Sequence, residues 1–299
     1  MRVTLTGATG FIGARLAAEL TTAGHELRVL GRRRPSQLPS STEFFAWDSN
    51  VGEPPAESLQ GSDAVVNLAG EPVAQRWTPE VRRRIRDSRV TGTRHLVNAL
   101  STIARRPGTL INASAIGIYG SRGDEILTET SSHGEDFLAQ VTEEWEQAAD
   151  LAGALGIRVV KLRTGIVLGK GGGALAKMLT PFRLGVGGRL GSGRQWMSWI
   201  HIEDAVGLIL YALEKPEVKG TLNVTAPNPA SNAEFTRQLA AALHRPAIFP
   251  VPAFALHILF GEMAGALLSS QRALPRSAVA AGFRFRYPEL SGALTAIFR

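Results

Sequence analysis

The chain has no cysteine among its 299 residues, so disulfides, thiolate metal sites and cysteine nucleophiles are excluded together. That suits a reducing compartment. No charged segment followed by an apolar stretch and a cleavage site opens the sequence, and the expectation is a cytoplasmic protein. Long hydrophobic runs are lacking too. The longest, residues 253–268, is interrupted by His257 and Glu262 and is too short to span a bilayer, so no membrane partner is expected. Tyrosine is scarce, with three in the chain, which leaves few phenols for proton transfer.

What is present is size, positive charge and glycine. With 44% hydrophobic residues and a formal charge of +7, the chain can bury a full core and attract anionic ligands. Its start, Met1-Arg-Val-Thr-Leu-Thr6, reads as a buried strand and runs into Gly7-Ala-Thr9-Gly10-Phe11-Ile12-Gly13, ahead of a helical pattern in Phe11, Ile12, Leu16 and Leu20. Between a strand and a helix this spacing predicts a dinucleotide site. Gly7 permits the tight turn, Gly10 lets the backbone approach a pyrophosphate, Gly13 allows the helix to pack closely on the sheet, and the helix N-terminus attracts the phosphates.

Apolar periodicity alternates between short strands at 3–6, 26–30, 64–68, 109–113 and 159–163 and helices at 11–23, 79–104 and 135–155. That alternation predicts an α/β fold of Rossmann type, a doubly wound parallel sheet with a smaller C-terminal substrate lobe. The nucleotide-binding domain is expected over residues 1–169, with 200–226 returning to it. The lobe would comprise 170–199 and 227–299, where glycine-rich loops and prolines break the rhythm. The densest basic cluster, Arg82-Arg83-Arg84-Ile85-Arg86 with Arg89, lies in a helical pattern and reads as a solvated face, with contact to ligand phosphates as its other use. No aromatic stacking platform accompanies it, so nucleic acid is not expected as a partner.

The glycine triplet, Asp63-Ala-Val-Val-Asn-Leu68-Ala69-Gly70, Gly92-Thr93 and Ser114-Ala-Ile-Gly-Ile-Tyr119-Gly120 together resemble the extended short-chain dehydrogenase/reductases of the sugar-nucleotide epimerase type. Arg86-Asp-Ser-Arg89, Arg163-Thr-Gly-Ile-Val-Leu-Gly169 and Trp196-Met-Ser-Trp199-Ile-His201-Ile-Glu-Asp204 are similar to an atypical subfamily, that of SDR family 39U member 1. The resemblance covers nearly the whole chain. It implies the fold and a nicotinamide cofactor, but no defined substrate; some members are linked by name to cell division.

Cofactor choice is legible at the end of the second strand. The ribose hydroxyls of NAD call for a carboxylate there, whereas the sequence runs Leu30-Gly-Arg32-Arg33-Arg34 with no acid before Glu43. Guanidinium groups match a 2′-phosphate, so NADP(H) is the expected cofactor, with Arg32 and Arg33 as contacts. Asp48 resembles the family position that meets the adenine, Leu68-Ala69-Gly70 the strand end that lines the cofactor, and Arg89 is assigned to the same site. Glu71, Arg76, Trp77, Trp196 and Trp199 are expected to line the substrate cleft.

The chemistry departs from the family. Its Tyr-x-x-x-Lys pair would fall on Phe137 and Val141, neither of which can take a proton. Tyr211 and Lys215 have the right spacing but lie on a different predicted helix. The catalytic candidates are therefore Tyr119, Ser114 and His201, with Glu71 or a water as further proton carriers. Two readings stay open. One is an NADP-dependent epimerase- or dehydratase-like oxidoreductase acting on an anionic small molecule, and the other is a catalytically silent NADP(H)-binding sensor or scaffold.

Overall fold

The computed structural model describes residues 1–36, 38–39 and 42–299. In chain order the first half runs β1 (Arg2–Thr6), α1 (Phe11–Thr22), β2 (Glu26–Gly31), β3 (Glu43–Ala46), α2 (Ala56–Leu59), β4 (Ala64–Asn67), α3 (Pro79–Thr102), β5 (Thr109–Ala115), β6 (Ile126–Leu127) and α4 (Phe137–Asp150). The second half runs β7 (Arg158–Thr164), β8 (Ile166–Leu168), α5 (Gly173–Arg183), β9 (Trp196–Met197), β10 (Trp199–His201), α6 (Ile202–Glu214) and β11 (Gly220–Val224). It closes with β12 (Ala230–Ser231), α7 (Asn232–Leu243), α8 (Ala253–Phe260), α9 (Met263–Leu268), β13 (Arg272–Ala273), α10 (Arg276–Ala280) and α11 (Leu290–Phe298).

Among the described residues the main sheet has seven strands, all parallel, in the order β11-β7-β5-β4-β1-β2-β3. The chain winds outward from β1 through β2 and β3, then restarts at β4 on the other side of β1. The point of reversal therefore lies between β1 and β4, where a doubly wound sheet opens a crevice at its strand ends. All of β4 and all but the first residue of β1 are buried, as central parallel strands covered on both faces must be. One core, with Val3, Leu5, Leu16, Val206 and Leu208, joins the sheet to α1 and α6; another, with Leu59, Val65, Leu96 and Leu100, joins it to α2 and α3. A third core lies among α5, α7 and α11 around Trp199, Phe235 and Leu294.

The helices start where their caps dictate. Thr78 Oγ1 accepts the Val81 N–H at 3.2 Å, with Pro79 in the first turn of α3, and Asp136 Oδ1 accepts the Ala139 N–H at 2.9 Å to open α4. Two strands of the main sheet are additions to the sequence pattern, the four-residue β3 and the five-residue β11, one at each edge. The helical stretch expected over 135–155 is α4 followed by a tighter 3-10 turn (Leu151–Leu155), which ends at Gly156 with φ +77°. No described helix is long and apolar enough to cross a membrane.

Candidate functional site

The site is built on the loop after β1. Gly7 adopts φ +71°, and a Cβ there would also stand 2.6 Å from the Leu68 carbonyl oxygen, so glycine is required twice over. A Cβ at Gly13 would lie 2.2 Å from the Gly7 carbonyl oxygen, which fixes how closely α1 sits on the turn. Gly10 differs: its Cβ would meet only the Gly7 carbonyl oxygen, at 3.2 Å. Gly10 is the N-cap of α1 and supplies no side-chain bond, so the helix presents first-turn N–H groups and a positive dipole end. The Phe11 side chain turns instead toward the 169–173 loop, where a Cβ at Gly172 would come within 2.3 Å of its ring.

The neighbouring strand ends are held by buried polar groups. Thr6 Oγ1 donates to Asn67 Oδ1 at 2.7 Å and accepts the N–H groups of Leu68 and Ala69, each at 3.1 Å. Asn67 Nδ2 donates to Asn112 Oδ1 at 2.7 Å and to Thr93 Oγ1 at 3.1 Å. A network with its partners in place fixes the path of Leu68, Ala69 and Gly70. At the end of β2, Arg32 and Arg33 are exposed and make no hydrogen bond or ion pair with another described residue. Asp48 follows buried Trp47, and its Oδ1 accepts the Asn50 N–H at 3.0 Å.

These segments enclose a cleft of about 780 Å³. One wall is Gly7, Thr9 and Gly10, a second Arg32, Arg33 and Asp48, and a third Leu68, Ala69, Gly70 and Glu71. Arg89, on α3, stands behind the third wall. Its Nη1 donates to the carbonyls of Glu71 (3.0 Å) and Ile85 (3.1 Å), and its guanidinium lies over the Trp145 ring at 5.2 Å. A Cβ at Gly70 would be 3.3 Å from that guanidinium carbon, so glycine keeps the approach open. Burial lowers the Arg89 pKa to about 10 against the opposing charge of Glu71; the group stays cationic at neutral pH. Glu71 Oε1 accepts from Gln75 Nε2 at 3.2 Å, and Oε2 has no hydrogen-bond partner among the described residues.

The three residues expected to donate protons are each held by partners within the fold. β5 runs two residues beyond its expected end, and a 3-10 turn (Ile116–Tyr119) then carries Tyr119 into a core with Ile118, Leu127 and Ala273. Tyr119 is fully buried; its hydroxyl donates to Asn223 Oδ1 at 2.7 Å and accepts from Arg163 Nη1 at 3.1 Å. Burial raises its pKa despite the cation, the wrong direction for a phenolate. Ser114 is buried, its Oγ donating to Glu146 Oε1 at 2.6 Å. Arg163 binds the same carboxylate with both Nε (2.8 Å) and Nη2 (2.9 Å). Burial opposes the Glu146 charge, but the Arg163 and Ser114 hydrogen bonds outweigh it and hold the carboxyl below its ordinary value. His201 caps α6, its Nδ1 accepting the Glu203 N–H at 3.2 Å beside the Tyr287 ring, and burial lowers its pKa.

Trp199 is corrected: it is fully buried in the third core, with Nε1 donating to the Asn228 carbonyl at 3.0 Å. Trp196 is partly exposed, bonded to Asp124 (2.8 Å) beneath the Arg272 guanidinium. Trp77 donates to the Val73 carbonyl and meets Phe137 edge-on at 5.3 Å, while Arg76 donates to the Ile258 carbonyl at 3.2 Å. Val141 is buried with Val81 and Ile85, with Phe137 packed against them. Tyr211 donates to the Ala281 carbonyl at 2.5 Å. The basic cluster on α3 is largely paired: Arg82 with Glu262, Arg84 with Glu80 and Arg86 with Glu144. The sequence reading missed Ser88, which lines the cleft and accepts the Glu71 N–H at 3.0 Å; its place in Arg86-Asp-Ser-Arg89 was the available signal.

Residues 3–225 match the NAD dependent epimerase/dehydratase family, and 251–297 match a domain of unknown function, DUF1731. This chain belongs to the epimerase family. It is 44% identical to the Epimerase family protein SDR39U1 homolog, chloroplastic, of Arabidopsis thaliana, across 100% of this chain and 87% of that one. It is 40% identical to Epimerase family protein YfhF of Bacillus subtilis, across 99% and 97%. Among solved structures it resembles human epimerase family protein SDR39U1 with NADPH, at TM-score 0.89 and 37% identity across 100% of this chain and 99% of that one.

Proposed function

We propose that this family member binds NADP(H) and is an epimerase-like oxidoreductase acting on an anionic small molecule, with Glu71 as its proton carrier. The observation that carries the reading is the joining of two unpaired guanidiniums, Arg32 and Arg33, with the side-chain-free N-cap of α1 in one cleft. The fit to the cofactor is chemical. The α1 N-terminus and Gly10 suit a pyrophosphate, and Arg32 and Arg33 suit a 2′-phosphate that a carboxylate would repel. The human relative is solved with NADPH. When bound, NADP(H) supplies or accepts a hydride. Arg89 offers a desolvated cation beside Gly70 to an anionic substrate. Of the proton carriers considered, Glu71 is the one whose residue lines the cleft, and its Oε2 is open to receive a hydroxyl proton.

Burial of Tyr119, Ser114 and His201 favours a second reading, binding without turnover. Mass spectrometry of the purified protein would identify a retained nucleotide, and metabolite mixtures would then be screened for change in NADPH absorbance. Turnover that falls at least a hundredfold in Glu71→Gln at unchanged NADPH affinity supports the enzyme. Turnover indifferent to that change removes Glu71, and none with any mixture supports the binder.

A further inference from the structure

The C-terminal part of the chain exposes apolar surface in a way the rest does not. Among the described residues thirteen large hydrophobic side chains are exposed, and eight of them belong to residues 184–186 and 248–260. α8, Ala-Phe-Ala-Leu-His-Ile-Leu-Phe, buries Leu256 and leaves Phe254, Ile258 and Leu259 each more than 60% exposed. Ile248 and Phe249, just before it, are 72% and 55% exposed. Leu184 and Val186 belong to the same region, because the two segments run side by side: Val251 donates its N–H to the Arg189 carbonyl at 2.8 Å and pairs in a bridge with Leu190. Exposed apolar side chains gathered in this number on two adjoining segments mark a contact site.

The charge around it is mostly positive, the acids at its borders being Glu234, paired with Arg237, and Glu262, paired with Arg82. From Lys170 to Ile202 there are five Lys and Arg and no acid, and from Phe235 to Gly261 two Arg, two His and no acid. Arg183, Arg189 and Arg245 are exposed and form no ion pair with a described residue. Arg189 and Arg237, the latter paired with Glu234, flank a depression of about 480 Å³ lined also by Thr236, Ala247, Ile248 and Pro250. A second copy of the chain would set these cations against each other. An anionic phospholipid bilayer answers both features, headgroup phosphates against the guanidiniums and acyl chains against the phenylalanines and branched aliphatics.

We propose that this face docks on an anionic membrane surface, with Arg183, Arg189 and Arg245 at the headgroups and Phe249, Phe254 and Ile258 inserted below them. Such contact is peripheral, not spanning, and it revises the expectation that no membrane is among the partners. It is independent of the nucleotide reading.

Flotation of the whole protein with phosphatidylcholine vesicles, with and without phosphatidylglycerol, tests it. Wild type should float with the anionic vesicles and not the neutral ones, and be released by molar salt. Phe254→Ser with Ile258→Ser, and separately Arg183→Glu with Arg245→Glu, should each lower the bound fraction at least tenfold while circular dichroism stays native. No flotation of wild type, equal flotation with neutral vesicles, or native variants that float like wild type would overturn it. So would a dimer, seen by analytical ultracentrifugation, that Phe254→Ser with Ile258→Ser dissolves, since a second copy would then cover the face.

Discussion

Two halves of the sheet's carboxyl edge are finished differently. In the loops just beyond β1 and β2 polar groups are left open, with bare guanidiniums on Arg32 and Arg33 and a helix N-terminus without a side-chain cap. At the carboxyl ends of β5 and β7 the polar groups are closed on one another, Ser114 and Arg163 on Glu146 and Tyr119 on Asn223 and Arg163. Open groups are available to a ligand, whereas saturated ones give rigidity. The nucleotide loop of the family is thus kept beside a network that holds Ser114 and Tyr119 in place.

Breaking the closed end should cost the most stability. Glu146→Ala strands the Arg163 guanidinium in the interior and is expected to destabilise by about 4 kcal/mol in urea unfolding, with nucleotide affinity retained by the folded fraction. A related effect is expected on acidification. Because the Glu146 pKa is lowered in the fold, its contribution is complete above the ordinary carboxylate value and is lost as pH falls through the folded value. A stability curve flat through that acid range in wild type, or one equally steep in Glu146→Gln, would remove Glu146 from the account.

The open end is sharpened by Gly10→Val. A branched Cβ would fill the space beside the α1 N-terminus, and NADPH affinity should fall a hundredfold or more, about 3 kcal/mol, while thermal unfolding changes little. Tyr119→Phe removes one hydroxyl from the closed network and should cost about 1 kcal/mol of stability with NADPH affinity unchanged in calorimetry. The smallest effect belongs to Tyr211→Phe with Lys215→Met, at the far end of α6, where the Lys215 carbonyl meets Arg158 at the start of β7. Any NADPH-linked activity should stay within about threefold of wild type; a large loss would move the active site there.

How much was legible in the sequence follows the same division. Gly7 and Gly13 announce themselves because the backbone there leaves no room for a side chain, and Gly10 because it completes their spacing. Arg32 and Arg33 stood out through the acids missing beside them. The closed network left no local signature. Glu146 and Arg163 lie 17 residues apart on α4 and β7, and only their packing makes them a pair. Tyr119 looked like a cleft residue because it follows a strand end, but the 3-10 turn after β5 rotates it into the core. Trp199 reads as a cleft residue for a similar reason, since a tryptophan that fills a core and one that lines a cleft look alike in sequence.

The central claim is that the open end recognises a 2′-phosphate. Titration calorimetry of NADPH and NADH against wild type and Arg32→Ala with Arg33→Ala tests it most directly. Wild type should prefer NADPH by about 2 kcal/mol, roughly thirtyfold, and the double variant should bind the two alike. Equal affinity for NADPH and NADH in wild type, or an undiminished NADPH affinity without the two arginines, would contradict it.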